Sequence, residues 1–462
     1  MIEAREYQER LLLDVHFALR EGVRRILLVS PTGSGKTVTM TQLCQLFNNA
    51  GLACTFMAPR RELIKQISKK LTEQGIRHGV ILAGHPGQSL YATNQVASID
   101  TLLARAVRRD RLVLPHADVV FVDEAHLSVT VARQTLFRMY PQAVLIGVTA
   151  TPSRKDGRPL KLLYDRMIQA TSVRDLIEQG YLSQYRLFAP ATVDVSGLHT
   201  RMGDYVTSEA AELVNKPRIT GDAISHYRRH CDGARAIVFA VSIEHSKAIA
   251  AAFNAEGIPA LHIDGNTDGG LRDAMMQDFR DGRVRVLTNV DLFGEGMDVP
   301  AIEAAILLRP TQSLAMYLQQ VGRALRPSPG KQQATILDHV SNSSLHGLPD
   351  EPRTWELTAT VRRDRPKLTI PSPRICASCF GASRSGSRVC VVCGEPFAVE
   401  PREIKQVEGE LADVTDIKRA RRQANPAKDL AGLIELGRKR GYASPERWAN
   451  HVWAGRLAKR AG

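Results

Sequence analysis

A chain of 462 residues with 44% hydrophobic and 24% charged residues has the balance of folded domains, and its length suits two to four of them. No run approaches 18 consecutive apolar residues and the opening residues are polar and mixed in charge, so the expectation is a cytoplasmic chain with no membrane contact. Lys and Arg number 62 against 48 Asp and Glu, a formal charge of +14, and residues 417–462 carry twelve of those cations against three acids, which suits a polyanionic partner.

In chain order, apolar runs at 25–29, 53–57, 118–122 and 143–148 alternate with helical stretches such as 37–50 and 61–74. Apolar strands alternating with helices predict a parallel sheet covered on both faces. A second alternating region follows, with strand candidates at 236–240, 284–288, 304–308 and 334–337. The expected fold class is therefore α/β, with two tandem parallel-sheet domains over 1–180 and 217–345 joined by a connector at 181–216. Residues 346–372, rich in Pro, Arg and Asp, read as a linker. Residues 373–398 hold a cysteine cluster, and 399–462 form a charged linker and a basic tail with helices near 427–440 and 445–459. Ser444 and Pro445 start the second of these.

Ser30-Pro31-Thr32-Gly33-Ser34-Gly35-Lys36-Thr37 lies between a strand and a helix. Glycines there let backbone N–H groups fold around phosphate oxygens at a helix N-terminus. The pattern assigns Lys36 to the β/γ-phosphates and the Thr37 hydroxyl to Mg²⁺, although the strict motif has glycine where Ser30 stands. Asp123-Glu124-Ala125-His126 follows the strand at 118–122, at the edge where parallel sheets bind ligands. Asp123 would share the Mg²⁺, and Glu124 would orient or deprotonate the attacking water.

Seven cysteines fall into two groups. Cys44, Cys54 and Cys231 are scattered in apolar surroundings, whereas Cys376, Cys379, Cys390 and Cys393 form C-x2-C-x10-C-x2-C. That spacing reads as a closed, structural Zn²⁺ site, with Arg374, Arg384 and Arg388 around it as candidate phosphate contacts. His339 and His346 read as packing residues rather than further ligands. Trp448 and Trp453 either stack on bases or, the favoured reading, form a local core.

By these motifs the chain over about 1–345 resembles the superfamily-2 helicases and translocases with a DEAH-type box, including the type III restriction-subunit type of ATPase core. The resemblance implies two RecA-like domains. It makes Gln8 in Arg5-Glu6-Tyr7-Gln8 an adenine reader, and places Thr32, Gly33, Ser34, Gly35, Lys36 and Thr37 around ATP. Arg60 and Thr101, in the segments 58–63 and 98–102, become nucleic-acid contacts. His126, Thr149, Thr151 and Gln319 become the elements coupling hydrolysis to domain movement. In the second domain Gly296 and Asp298 are implied at the nucleotide, with Arg323 and Arg326 of Gln320-Val321-Gly322-Arg323-Ala324-Leu325-Arg326 as arginine fingers. A narrower resemblance, carried by Leu337-Asp338-His339-Val340, the cysteine cluster, Gly441-Tyr442 and Trp448-Ala449, is to RadD-type DNA-repair helicases and their phage relatives.

The reading is thus an ATP- and Mg²⁺-dependent helicase or translocase with a structural Zn²⁺. It would act on nucleic acid, DNA ahead of RNA, in repair, recombination or replication, with repair or replication proteins as further partners. Two alternatives stay open: a duplex-DNA remodeller that does not separate strands, and a scaffold clamped on nucleic acid by ATP.

Overall fold

The structure is a computed structural model that describes residues 4–85, 91–109, 112–152, 158–190, 197–201, 204–214, 217–292, 302–358, 371–398, 429–439, 442 and 444–458. Residues 1–397 form one compact body and 398–462 a second.

The first body contains two parallel sheets. The first sheet comprises β1 (Arg25–Val29), β2 (Cys54–Ala58), β3 (Gly79–Ile81), β4 (Gln95–Ser98), β5 (Val119–Asp123), β6 (Val144–Thr149) and β7 (Arg166–Gln169), in the order β3-β4-β2-β5-β6-β1-β7. Its strands β2 to β5 are buried along their whole length, and β5 accordingly reads as an apolar run, Val119 to Val122, rather than an alternating one. Phe56 and Phe121 stack across neighbouring strands with centroids 4.8 Å apart, and Leu11, Val15, Ile64 and Ile67 close the same face from helices Glu6–Arg20 and Arg61–Glu73. Each such fully buried side chain contributes about 1.5–3 kcal/mol of transfer free energy.

The next strands are β8 (Gln184–Phe188), a short antiparallel pair β9 (Thr200–Arg201) and β10 (Asp204–Tyr205), then β11 (Ala236–Phe239), β12 (Ala260–Ile263), β13 (Val286–Asn289), β14 (Ala304–Leu307) and β15 (Gln333–Asp338). The second sheet has the order β12-β13-β11-β14-β15-β8, all parallel. The expected connector at 181–216 thus supplies this sheet's edge strand, β8, which pairs with β15 from Gln184↔Gln333 to Phe188↔Leu337.

Residues 346–358, expected within a linker, return to the first sheet. Trp355 and Leu357 pack against its core, and the Lys161 amide donates to the Leu357 carbonyl at 3.0 Å. The four-cysteine segment, with β16 (Arg374–Ile375) and β17 (Ala382–Ser383), sits on the β8 edge: Phe188 bridges Gly381, and the Ala189 amide donates to Phe380 at 3.0 Å. An otherwise open edge of unpaired N–H and C=O groups is covered in this way.

In the second body, helices Leu430–Lys439 and Pro445–Ala458 pair around Leu433 and Ala449, with Trp448 and Trp453 packed on that small core. Gly437 lets them approach, since a Cβ there would stand 3.2 Å from Trp448. The local-core reading of the two tryptophans is the one the structure bears out. No helix among the described residues is long and apolar enough to cross a membrane.

Candidate active site

The carboxyl ends of β1, β5 and β6 deliver three segments to one edge of the first sheet. After β1 the phosphate loop turns through Gly33 and Gly35, at φ 86° and 81°, conformations that a Cβ disfavours. Gly35 is the N-cap of helix Lys36–Asn49, so the first N–H groups of that helix face the loop's concavity. Ser30, the residue that departs from the strict motif, has a structural partner: its Oγ lies 2.6 Å from Ser34 Oγ, which also reaches the Pro31 carbonyl at 2.7 Å. These bonds brace the loop from inside.

Gln8 is buried beneath the loop, its Nε2 3.3 Å from Thr39 Oγ1 and 3.5 Å from the Ser34 carbonyl, and its Oε1 accepting from the Arg5 amide at 3.0 Å. Tyr7 donates its hydroxyl to the same Ser34 carbonyl. The motif 5–8 is therefore bound directly to the phosphate loop.

Asp123 ends β5 and accepts from the Glu124 amide at 2.9 Å. Glu124 is in the left-handed region, at φ 48° and ψ 48°, a strained conformation for a side-chain-bearing residue. Its carboxylate lies 3.4 Å from His126 Nδ1. His126 Nδ1 is in turn 3.0 Å from Thr149 Oγ1, which contacts both the carbonyl and the amide of Thr151, at 3.0 and 3.3 Å. Close polar contacts thus lead from Glu124 through His126 Nδ1 to the segment after β6. Burial pulls the Lys36 ammonium down, Glu124 and Asp123 oppose that shift, and Arg326 and Arg323 add to it.

The two arginines come from the second sheet. Helix Leu314–Ala324 carries Gln319 and Arg323, both buried, and Arg326 lies just beyond its end. Together with Thr32, Gly33, Gly35, Lys36, Thr37, Asp123 and Glu124 they line one cavity of about 360 Å³, within the range for small-ligand sites. Of the sequence-predicted nucleotide residues, Ser34 braces the loop from within, and Gly296 and Asp298 lie outside the described residues. Arg60 and Thr101 follow β2 and β4 on the same sheet edge, but the Thr101 hydroxyl is turned inward and accepts from the Ala83 amide at 3.3 Å.

Two features escaped the sequence. Lys331 reaches back to the end of helix Leu314–Ala324, and nothing in its local pattern marks it. Asp350 accepts from Tyr185 and Arg384, and Arg174 lies 3.9 Å away, so it joins the returning segment 346–358, β8 and the cysteine segment. Arg384 is therefore engaged in an ion pair, and Arg374 lies over the Phe397 ring at 4.5 Å.

The four cysteine sulfurs all lie within 4.8 Å of one another, with Cys376–Cys393 at 3.7 Å and Cys379–Cys390 at 3.6 Å. Sulfurs about 2.3 Å from a shared Zn²⁺ would stand about 3.8 Å apart in a regular tetrahedron, so the donor set fits that ion. The Gly381 and Val392 amides donate to Cys379 and Cys390 sulfurs at 3.3 and 3.4 Å, as stabilises thiolates. His346 is not part of it: its Nε2 contacts the Thr311 carbonyl at 2.8 Å and its ring stacks on Tyr317.

Residues 1–154 match the family described as type III restriction enzyme, res subunit, and residues 217–328 match the helicase conserved C-terminal domain. A 51.5 kDa protein of a Lactococcus phage (isolate 7-9) is 34% identical, over 83% of this chain and 81% of its own. The DNA 3'-5' translocase XPB2 of Sulfurisphaera tokodaii is 25% identical, over 74% of this chain and 82% of its own. Among solved structures, a fragment provisionally assigned as the HsdR subunit of a type I restriction enzyme from Vibrio vulnificus is similar in fold. Its TM-score is 0.58 at 21% identity, covering 75% of this chain and 66% of the fragment.

Proposed function

From its membership of the superfamily-2 helicases, to which this ATP-hydrolysing chain belongs, we propose that it is a DNA-directed motor whose hydrolytic site is the cavity between its two sheets. The observation that carries the reading is that Arg323 and Arg326, from the second sheet, line the same cavity as Lys36, Asp123 and Glu124 from the first. ATP bound there would be sensed by both domains at once, so that hydrolysis changes their fit to each other.

In this reading Lys36 and the loop amides hold the β/γ-phosphates, and Glu124 positions and deprotonates the attacking water. Arg323 and Arg326 meet the charge that develops on the transferred phosphoryl group. The chain Glu124–His126–Thr149–Thr151 carries the state of the water site to the segment after β6, and Gln319 faces it from the second domain. Thr37 and Asp123 present the oxygen donors that would hold Mg²⁺, and the bound ion would supply positive charge to offset that of the phosphates. Cys376, Cys379, Cys390 and Cys393 hold a structural Zn²⁺ that fixes the segment covering β8.

DNA is favoured over RNA by the similarity to a named DNA translocase and by the resemblance to repair helicases. The basic tail supplies phosphate affinity. A role in DNA repair is the biological setting this suggests. ATP turnover measured with single-stranded, duplex and branched DNA and with RNA, beside a strand-displacement assay, tests the proposal. Stimulation by RNA alone would refute the DNA assignment. Stimulation by duplex alone without displacement would favour the translocating remodeller, the reading that the match to a restriction-enzyme subunit supports.

A further inference from the structure

Helix Leu314–Ala324 ends where Arg323 and Arg326 enter the cavity, and its last carbonyls have no partner within the helix. The chain then turns through Pro327-Ser328-Pro329-Gly330, with Gly330 at φ 79° and the Lys331 amide donating to the Ser328 carbonyl at 3.1 Å. This turn brings Lys331 back under the helix end. Its Nζ donates to the Arg326 carbonyl at 2.8 Å, to the Ala324 carbonyl, and to the Ile302 carbonyl at 2.8 Å. An ammonium has three protons, and three backbone oxygens from three different points of the chain receive them.

We infer that Lys331 is a positioning residue for ATP hydrolysis, pinning the backbone that carries Arg323 and Arg326. The inference rests on the arginine-finger reading above. Ala324 immediately follows Arg323, and Arg326 is pinned at its own carbonyl. The third oxygen, of Ile302, belongs to the start of the β14 approach, so the pin ties the finger segment to the body of the second sheet rather than to its own helix alone. Placement matters here because Arg326 Cγ lies over the phosphate loop, 3.7 Å from where a Cβ on Gly33 would be. The negative end of the helix dipole adds to the attraction. Burial pulls the ammonium down to about 8, with Glu303 holding it up and Arg235 pushing the same way as burial, so it stays charged at neutral pH. An arginine could not replace it, since a planar fork cannot address three converging carbonyls.

The test compares Lys331→Met, Arg326→Ala and the double variant in single- and multiple-turnover ATP hydrolysis, with affinity for a non-hydrolysable ATP analogue measured alongside. A misplaced catalytic group costs up to about 100-fold, so kcat of Lys331→Met should fall by roughly 10- to 100-fold while analogue affinity stays within about threefold. The double variant should fall by less than the product of the two single losses, because the pin then has only Arg323 left to position. If Arg326→Ala retains turnover, the finger reading fails. If it collapses while Lys331→Met stays within about twofold of the parent, the pin is overturned and the fingers stand. Multiplying losses in the double variant would also overturn it, since Lys331 would then act elsewhere. Should Lys331→Met unfold, as thermal melting would reveal, Lys331→Arg keeps the charge and carries the same comparison.

Discussion

A Cβ placed on Gly322 would stand 2.8 Å from Thr32 Cβ and 3.0 Å from its methyl group. Gly322 belongs to the helix bearing Arg323, and Thr32 to the phosphate loop, so the two domains meet here with no room for one carbon atom. Glycine at this position is a matter of clearance between domains rather than of backbone conformation.

Gly322→Ala should therefore separate stability from catalysis. Alanine in a helix interior is favoured over glycine by about 1 kcal/mol, so the melting temperature should hold or rise. Turnover should nonetheless fall by about tenfold or more, because the added methyl holds the arginines away from the phosphates. Unchanged turnover would show that the domains need not approach this closely.

Lys36→Ala and Glu124→Gln should both abolish steady-state hydrolysis but differ in binding. A charge-assisted hydrogen bond is worth about 1.5–3 kcal/mol, so losing Lys36 should weaken nucleotide affinity by roughly 10- to 100-fold. Glu124→Gln keeps Thr37 and Asp123 and should bind ATP with little change. Near-parental turnover in Glu124→Gln would remove it from the chemistry.

Much of this site is legible in the sequence because its parts are local. The strand expected at 25–29 has those same bounds in the structure, and the loop, the acidic pair and the cysteine pairs each declare themselves within a dozen residues. What stays hidden is either short, amphipathic or non-local. Strand β3 has only three residues. Strand β8, Gln184–Phe188, mixes polar and apolar residues because it is a sheet edge whose first residue is exposed. Lys331 is invisible for a different reason. Its partners are backbone carbonyls, one of them 29 residues away, and no side-chain pattern reports those.

Acid should weaken the second sheet before carboxylates titrate. His339 stacks on His226 with centroids 5.1 Å apart, and His230 stacks on Phe188 at 3.9 Å. Burial lowers His339 to about 3 and His230 to about 4, with Arg229 adding to the latter, and burial lowers His226 as well. Free histidine titrates near about 6.5, so below that value the unfolded chain takes up protons that the fold refuses. Stability should be full above about pH 6.5 and decline steadily toward pH 5. Asp175 and Asp264, whose values are lowered, lose their contributions only at more acid pH. A melting temperature flat between pH 7 and 5 would contradict this, and His339→Leu should blunt the decline.

The cysteine segment should prove to be part of the second domain's stability. Ala382 belongs to the core that underlies the second sheet, and Val392 packs against its opposite face. Elemental analysis should give about one zinc per chain. Chelation, or Cys376→Ser, should lower the melting temperature and expose the β8 edge to proteolysis, with the first sheet unaffected. A metal-free chain with an unchanged melting temperature would sink the zinc assignment.

The tail is the clearest place to test where nucleic-acid affinity comes from. Residues 417–462 hold twelve of the 62 Lys and Arg and only three of the 48 acids. The paired helices turn their tryptophans onto their own core, and Arg438, Lys439 and Arg447 are exposed. The two tryptophans are thus already used, which points to charge as what this segment offers a polyanion. Among the described residues, none lining the nucleotide cavity lies beyond Pro327, so deleting 417–462 should leave turnover at saturating DNA nearly unchanged. The DNA concentration for half-maximal stimulation should rise. The slope of log affinity against log salt should flatten by about 0.7–0.9 for each phosphate that the shortened chain no longer neutralises. Identical slopes with and without the tail would falsify its role in meeting phosphates. The second body would then be a docking element for another protein, read through its exposed basic face rather than through DNA.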